Sequence, residues 1–204
     1  MEFDSGGERG NSVRLSEQEL LVASSTGAMR HIKKIDRKEG GNGADNVMMG
    51  WQYNCSGAIA EMAFAKWMGV YWDASVGTFR SRPDVMGYEI RSTYKPDWGL
   101  ILRPRDLVSQ VPFSQGLPPL SDQDIKKLDR KIYVLVLTYH APRYEMLGWI
   151  KGSEAARVMK PERLDPKRKP AWVVGRGHLS PMRDLPIVGM EGLPVLRNGV
   201  KEHA

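Results

Sequence analysis

The stretch that decides the fold is "WQYNCSGAIAEMAFAKWMG", residues 51–69, which is apolar on nearly every side when drawn as a helix. A helix with this pattern is typical of a protein interior. The residues that share a side with Glu61 are small or apolar: Gly57, Ala58, Phe64, Ala65 and Met68. The stretch therefore predicts a buried helix whose small residues let a sheet approach closely and whose Glu61 points inward.

Stretches rich in β-branched and aromatic residues follow this helix and favour strands: 70–80, 81–93 and 99–107. "KIYVLVLTYH" (131–140) is typical of a buried strand, and "EMLGWIKGSEAARVM" (145–159) of a strand that turns into a helix. Ser121 caps a helix candidate at "IKKLDR". Together these patterns predict the α/β class, with a central mixed β-sheet flanked by helices.

The chain before this unit predicts an N-terminal helical extension, residues 16–50, behind a disordered leader, residues 1–15. Ser16 and Glu19 form a candidate capping box, and the helix that they open is expected to break near Gly27. Further on, Met29, Ile32 and Ile35 line one side of a helix. The opposite side is basic (Arg30, Lys33, Lys34 and Arg37), and it suits either contact with phosphates or an ordinary solvated face. A C-terminal tail is expected at 187–204, leaving 51–186 as the α/β domain.

The amino-acid composition excludes several classes of protein. Cys55 is the only cysteine among 204 residues, which excludes an internal disulfide and a Cys-rich zinc module and favours a core role for that thiol. No apolar run approaches the ~20 residues that cross a bilayer, so we expect a soluble, cytoplasmic protein without a membrane partner. The net charge of +6 permits a polyanionic partner without requiring one.

The charged residues of "SRPDVMGYEIRST", residues 81–93, are unusual for a strand and turn. Side chains alternate along a strand, so Glu89 and Arg91 share one face. Asp84 precedes a Met86-Gly87 turn and can reach back to Glu89. Two carboxylates this close repel each other and shift each other's titration unless a divalent cation lies between them.

An inward glutamate on a helix, then Pro-Asp, a spacer and an acidic-x-basic strand resembles the PD-(D/E)XK nuclease superfamily. This chain has Glu61, then Pro83-Asp84, four residues, and Glu89-Ile90-Arg91. The resemblance covers about residues 50–185 and is greatest to small nucleases of bacteriophages and mobile elements. It implies a restriction-endonuclease-like fold, DNA as partner and hydrolysis of its phosphodiester bonds, in the host-cell cytoplasm if the chain is phage-encoded.

The resemblance also implies a site. Glu61, Asp84, Glu89 and the carbonyl of Ile90 would bind Mg²⁺, with Mn²⁺ as an alternative, because hard cations prefer oxygen ligands. The superfamily usually has lysine where this chain has Arg91. Arginine can neutralise phosphate charge but does not act as a base, so we expect Arg91 to hold a phosphate and the metal with a carboxylate to activate water. Lys95 lies too far along the strand to replace the lysine.

Several alternatives stay open. The chain is either a nuclease, or a catalytically inactive nuclease-fold protein that binds DNA or serves in a phage assembly, or a plain protein-interaction domain. In a purely structural interpretation, Glu61 pairs with an arginine, while Asp84 lies in the turn of a hairpin and Glu89 pairs with Arg91 on the surface. The oligomeric state is open, with a homodimer as one alternative.

Overall fold

A four-stranded mixed sheet forms the centre of the computed structural model, which describes residues 10–36, 47–77, 83–103, 120–162 and 171–187. The elements, in chain order, are β1 (Ser12–Arg14), α1 (Glu17–Asp36), α2 (Val47–Met68), β2 (Tyr88–Thr93), β3 (Leu100–Leu102), α3 (Asp122–Leu128), β4 (Ile132–Leu137), β5 (Arg143–Lys151), α4 (Gly152–Val158), β6 (Lys160–Glu162) and β7 (Ala171–Val174). Short 3-10 turns follow at Arg176–His178 and Met182–Asp184.

The strand order of the central sheet is β1-β5-β4-β2. Strands β2 and β4 run parallel, whereas β4 and β1 each pair antiparallel with β5. Strand β4 is the apolar run "IYVLVL", and its side chains are buried on both faces of the sheet. The predicted α/β class with a mixed sheet is therefore confirmed, and strand β2 is an edge strand of that sheet among the residues that the structure describes.

Helix α2 covers one face of the sheet through small residues, as its sequence predicts. Ala58, Ala63, Phe64 and Ala65 are almost completely buried there, beside Tyr88 of β2. The opposite face packs on a second, antiparallel sheet, β3-β7-β6, together with helices α3 and α4. Ser121 caps α3 in a complete capping box with Asp124, and β5 turns directly into α4; both features were predicted.

Helix α1 belongs to the same core, because it packs along α2. It does not break at Gly27, contrary to the prediction. A Cβ atom on Gly27 would lie 2.4 Å from the Cα of Cys55, so this glycine is the point of closest approach between two continuous helices. Within the described residues, no helix is long and apolar enough to span a membrane.

The face of α1 that points to solvent differs from the predicted one, although Lys33 is exposed as expected. Met29, Ile32 and Ile35 are exposed, whereas Arg30 is buried. The sequence pattern does not separate the two sides of this helix, since Lys33 lies only about 40° from Met29 around the helix axis and is exposed with it. It does not show that a buried carboxylate on α2 would draw the basic side inward.

Two further predictions differ from the structure. Residues 70–77, predicted as strand, follow α2 as irregular backbone, and Ala74 and Gly77 have positive φ angles, 49° and 93°. Residues 12–14, predicted within a disordered leader, form β1 because Val13 and Leu15 pack into the core. The other leader residues up to 9, the helix candidate "RPRDLVSQ" and the tail beyond 187 lie outside the described residues.

Candidate functional site

Helices α1 and α2 are joined by an ion pair at the predicted site residue Glu61. Arg30 Nη1 lies 2.6 Å from Glu61 Oε1, and Nη2 lies 2.8 Å from Oε2. Both side chains are only 8% exposed, and the indole Nε1 of Trp72 donates to Glu61 Oε2 at 3.1 Å. Both carboxylate oxygens of Glu61 are thus used within the protein. This is the pairing that the sequence left open as the structural alternative.

The pairing with Glu61 raises the pKa of Arg30. Burial lowers the pKa of the Arg30 guanidinium, but the hydrogen bonds and charge of Glu61 outweigh it, so the pKa of Arg30 lies above its ordinary value. The charge of Asp84 acts on Arg30 in the same direction. Asp84 is therefore an electrostatic neighbour of the helix pair.

A tight turn places Asp84. Val85 and Tyr88 exchange two backbone hydrogen bonds, N to O, of 3.2 and 2.8 Å. The two residues between them, Met86 and Gly87, have φ angles of 47° and 90°, and positive φ at both central positions is typical of the tightest hairpin turns. The turn brings Asp84 alongside β2, where its Oδ2 accepts a hydrogen bond of 2.8 Å from the backbone N–H of Ile90.

The backbone of Ile90 faces the open edge of the sheet. Its N–H donates to Asp84, and its carbonyl accepts a hydrogen bond of 3.0 Å from Arg91 Nη1. Neither bond goes to the neighbouring strand β4. The carbonyl that the sequence assigned as a metal ligand is therefore directed towards the same space as the Asp84 carboxylate.

The guanidinium of Arg91 contacts three oxygens at this edge, those of Ile90, Asp84 and Glu89. Besides the Ile90 carbonyl, it lies 3.4 Å from Asp84 Oδ2 and 3.4 Å from Glu89 Oε2. The guanidinium carbon of Arg91, Cζ, also lies 5.5 Å from the centre of the Tyr133 ring. Three of the four oxygen donors predicted to bind a metal thus converge on one positively charged group.

Lys131 is a member of the cluster that the sequence did not indicate. Its Nζ lies 3.1 Å from Glu89 Oε1. It directly precedes β4, and the parallel register pairs Glu89 with Tyr133, two residues further along. Because no local pattern in the sequence specifies this register, Lys131 had no visible link to residue 89. Arg30 and Trp72 were also missed, because no local pattern in the sequence shows that they contact Glu61.

The pKa of the Asp84 carboxyl is strongly raised. Burial raises the pKa of its carboxyl from 3.8 to about 7, and the negative charges of Glu61 and Glu89 add to the effect. The charge of Arg91 and the hydrogen bond from Ile90 oppose it. The carboxylates therefore act on one another even with the surrounding cations in place.

Asp84 interacts electrostatically with two carboxylates, Glu61 and Glu89, that lie on opposite faces of the sheet. Glu61 belongs to α2, on the face that holds Tyr88 and Ile90. Side chains alternate along β2, so Glu89 lies on the other face, with its register partner Tyr133. In the part of the chain that the structure describes, no group of three or more His, Cys, Asp or Glu side chains is arranged to hold a metal ion. The predicted role of Glu61 as a ligand stays a prediction.

No protein-family model, no curated protein and no solved structure matches this chain.

Proposed function

We propose that this chain is a divalent-metal-dependent nuclease that hydrolyses DNA phosphodiester bonds, with a restriction-endonuclease-like fold of the PD-(D/E)XK type. The observation that carries the proposal is the convergence of Asp84 Oδ2, Glu89 Oε2 and the Ile90 carbonyl on the Arg91 guanidinium. Carboxylate and carbonyl oxygens that converge on one cation are also the kind of ligand that a hard divalent cation takes.

The donor set suits Mg²⁺ or Mn²⁺. Mg²⁺ is typically held by one or two carboxylates, with water and substrate phosphate completing its shell. Asp84, Glu89 and the Ile90 carbonyl provide two carboxylates and one neutral oxygen. The raised pKa of Asp84, which comes mainly from burial and in part from the charges of Glu61 and Glu89, supports the fit, because a divalent cation would relieve the repulsion among these carboxylates.

The residues around the donors suit a phosphodiester substrate. A bound divalent cation stabilises charge that develops on phosphate oxygens and makes a bound water more acidic. Arg91 carries a permanent charge with fork geometry that matches a phosphate. Lys131 places an ammonium group on Glu89, where it orients that carboxylate. Asp84 must be ionised to act as a ligand.

In this proposal Glu61 is a positioning residue. Its oxygens hold Arg30 and Trp72, and its charge acts on Asp84. It fixes α1 against α2 and sets the acidity of Asp84, without needing to touch a metal.

The test is plasmid cleavage by the purified full-length chain with Mg²⁺ or Mn²⁺, beside Asp84→Asn and Glu89→Gln. We expect metal-dependent cleavage that a chelator abolishes and that each variant reduces at least about a hundredfold. Asp184→Asn is the matched control, because Asp184 is an exposed aspartate outside the cluster. Equal cleavage by the wild type and both variants would contradict the proposal.

A second candidate is a DNA-binding or assembly protein with the same fold and no catalysis. The charge balance of the cluster favours it: three carboxylates (Glu61, Asp84 and Glu89) face three cations (Arg30, Arg91 and Lys131). A cluster that is already neutral does not require a metal. DNA binding without cleavage, together with no calorimetric binding of Mn²⁺, would select this candidate.

A further inference from the structure

Exposed aromatic side chains lie at the end of the central sheet where strands β2 and β4 stop. The two strands run parallel, and the backbone N–H of Thr138, just after β4, donates a hydrogen bond of 2.8 Å to the carbonyl of Thr93, the last residue of β2. Tyr94 and Tyr139 directly follow these two residues, and they are 46% and 61% exposed. The two tyrosines therefore start from neighbouring positions at one end of the sheet.

Each of these tyrosines has a second ring beside it. The ring centres of Tyr94 and Trp98 are 5.7 Å apart, and those of Tyr139 and His140 are 4.5 Å apart. The Nζ atom of Lys95 lies 4.3 Å from the centre of the Trp98 ring. We call these five residues the strand-end surface. It combines aromatic rings with a cation.

The loop that follows β2 is held by hydrogen bonds. The hydroxyl of Thr93 accepts from the Lys95 N–H at 3.2 Å and donates to the Lys95 carbonyl at 3.1 Å. The same carbonyl accepts a hydrogen bond of 3.2 Å from the N–H of Trp98. The guanidinium of Arg176 donates to the carbonyl of Pro96. A ligand would therefore meet rings that are already in place, and it would lose little affinity to the ordering of this loop.

Positive charge predominates around the strand-end surface. The permanently charged side chains of residues 94–98 and 139–145, together with Arg176, are three bases and two acids: Lys95, Arg143, Arg176, Asp97 and Glu145. A positive balance suits a polyanion. His140, Arg143 and Glu145 also line a cavity of about 300 Å³. This cavity offers both hydrogen-bond donors and acceptors, as the edge of a nucleic-acid base requires.

We propose that the strand-end surface binds the unpaired bases of single-stranded DNA, and, insofar as the proposed function holds, that a single strand is the substrate of the nuclease. Proteins hold single strands by stacking bases on aromatic rings beside a basic groove, and this stacking tolerates any sequence because every base has a π face. Bases within a duplex are stacked on one another, so they do not offer these faces.

The position of the surface also fits the proposed cleavage site. Tyr94 follows Arg91 by three residues, which is about 10 Å of strand. A strand whose bases stack at Tyr94 could therefore reach the Arg91 cluster with a phosphate a short distance along its backbone. The strand-end surface would select the unpaired strand, and the cluster at Asp84, Glu89 and Arg91 would act on it.

The test is fluorescence anisotropy of a labelled oligothymidylate of about 20 bases, longer than a typical binding site, with the full-length chain in a chelator. We expect the single strand to bind at least about tenfold more tightly than a duplex of the same length, and Tyr94→Ala to weaken it about tenfold. The Tyr94 side chain is exposed, so the variant should retain its circular dichroism. Tyr71→Ala is the matched control, since Tyr71 is an exposed tyrosine outside the surface, and it should bind like the wild type.

An abasic oligonucleotide separates the bases from the phosphates. It should bind the wild type more weakly than oligothymidylate does, and Tyr94→Ala should not weaken it further. Lys95→Gln should weaken both ligands and reduce the slope of log affinity against log salt by about 0.7, the value for one phosphate contact on a single strand. Equal binding of the abasic and normal strands would show that no base is stacked and would overturn the proposal.

The remaining outcomes separate this inference from the proposed function. Tighter binding of the duplex, tighter binding of single-stranded RNA, or wild-type affinity in Tyr94→Ala would overturn the strand-end surface as a site for single-stranded DNA, even if metal-dependent cleavage is found. Binding of the single strand that Tyr94→Ala weakens, without cleavage when metal is added, would support the surface and count against the nuclease.

Discussion

Arg30 of helix α1 and Glu61 of helix α2 form a buried ion pair in which both oxygens of the carboxylate meet the guanidinium, at 2.6 and 2.8 Å. The pair ties together two helices that also meet where Gly27 approaches Cys55 and where Lys34 donates a hydrogen bond to Asn54. Trp72, which follows α2 in the chain, donates a hydrogen bond from its indole N–H to Glu61. The carboxylate that the sequence assigned to a metal is thus also the one that fixes α1 on the core.

Glu61→Gln is expected to lower the free energy of unfolding by about 3–5 kcal/mol, because it leaves the buried Arg30 charge without its partner. Denaturant titration measures the change. Arg30→Met/Glu61→Met should recover most of the loss, since it removes both charges together. Glu19→Gln is the matched control; its pair with Lys66 is partly exposed and should contribute less than about 1 kcal/mol.

Gly27→Ala is expected to destabilise the chain by about 1–3 kcal/mol, because the new methyl group would collide with the backbone of Cys55 and force the helices apart. Gly57→Ala is the internal comparison. No atom lies within 4 Å of a Cβ there, so alanine should stabilise the helix by about 0.5–1 kcal/mol. Opposite signs in thermal unfolding would establish Gly27 as the contact point, and equal effects would argue against it.

The raised pKa of Asp84 makes stability depend on pH. Between the ordinary pKa of 3.8 and the folded value of about 7, the folded state keeps a proton that the unfolded state has released. This stabilisation is therefore complete below the ordinary value and is lost as pH rises through about 7. Without divalent metal, Asp84→Asn should be more stable than the wild type at pH 8 by about 2 kcal/mol, a value reduced for partial exposure.

Urea titrations of both proteins between pH 4 and pH 8, in the presence of a chelator, measure this difference. It should shrink as pH falls. Asp97→Asn, at an exposed position, should show no such trend. A difference that stayed constant over the whole range would show that Asp84 does not titrate between these values.

Cleavage should depend on pH through the same group. Because the ionised form of Asp84 is the proposed ligand, activity at limiting metal should rise with pH and level off above about 7. Raising the Mg²⁺ concentration should move the midpoint downward, since the cation competes with the proton. A midpoint that does not respond to Mg²⁺ would indicate that another group controls the rate.

Arg91→Gln separates metal binding from catalysis. The guanidinium and a divalent cation would use the same three oxygens, so we expect the variant to bind Mn²⁺ about tenfold more tightly in calorimetry. Cleavage should nevertheless fall, because the permanent charge offered to phosphate is gone. Weaker Mn²⁺ binding by Arg91→Gln would mean that Arg91 supports the metal site and does not compete with it.

Local patterns were sufficient for much of the fold. The apolar wheel around Glu61 predicted a buried helix, and the run "IYVLVL" predicted a strand buried on both faces. The helix cap at Ser121 and the strand-to-helix junction after β5 were also predicted correctly. Each of these features depends on residues close together in the chain.

Predictions that depended on distant partners were less complete. Arg30 was assigned to the outward side of α1, because the sequence does not reveal that Glu61 lies opposite. Lys131 and Glu89 lie 42 residues apart in the chain and meet through the register of two parallel strands, which no short pattern encodes. Asp84, Glu89 and Arg91, within a single turn and strand, were the part of the site that sequence alone brought together.

Strand β2 is an edge strand among the described residues, and this position has a consequence for the behaviour of the chain in concentrated solution. Bare strand edges attract the edges of other molecules and begin ordered aggregates. Here Asp84 and Arg91 occupy the hydrogen-bonding groups of Ile90, so the middle of the edge offers nothing to an incoming strand. Replacing both Asp84 and Arg91 would free the N–H and the carbonyl of Ile90 for another strand, and so should raise the tendency of the chain to aggregate.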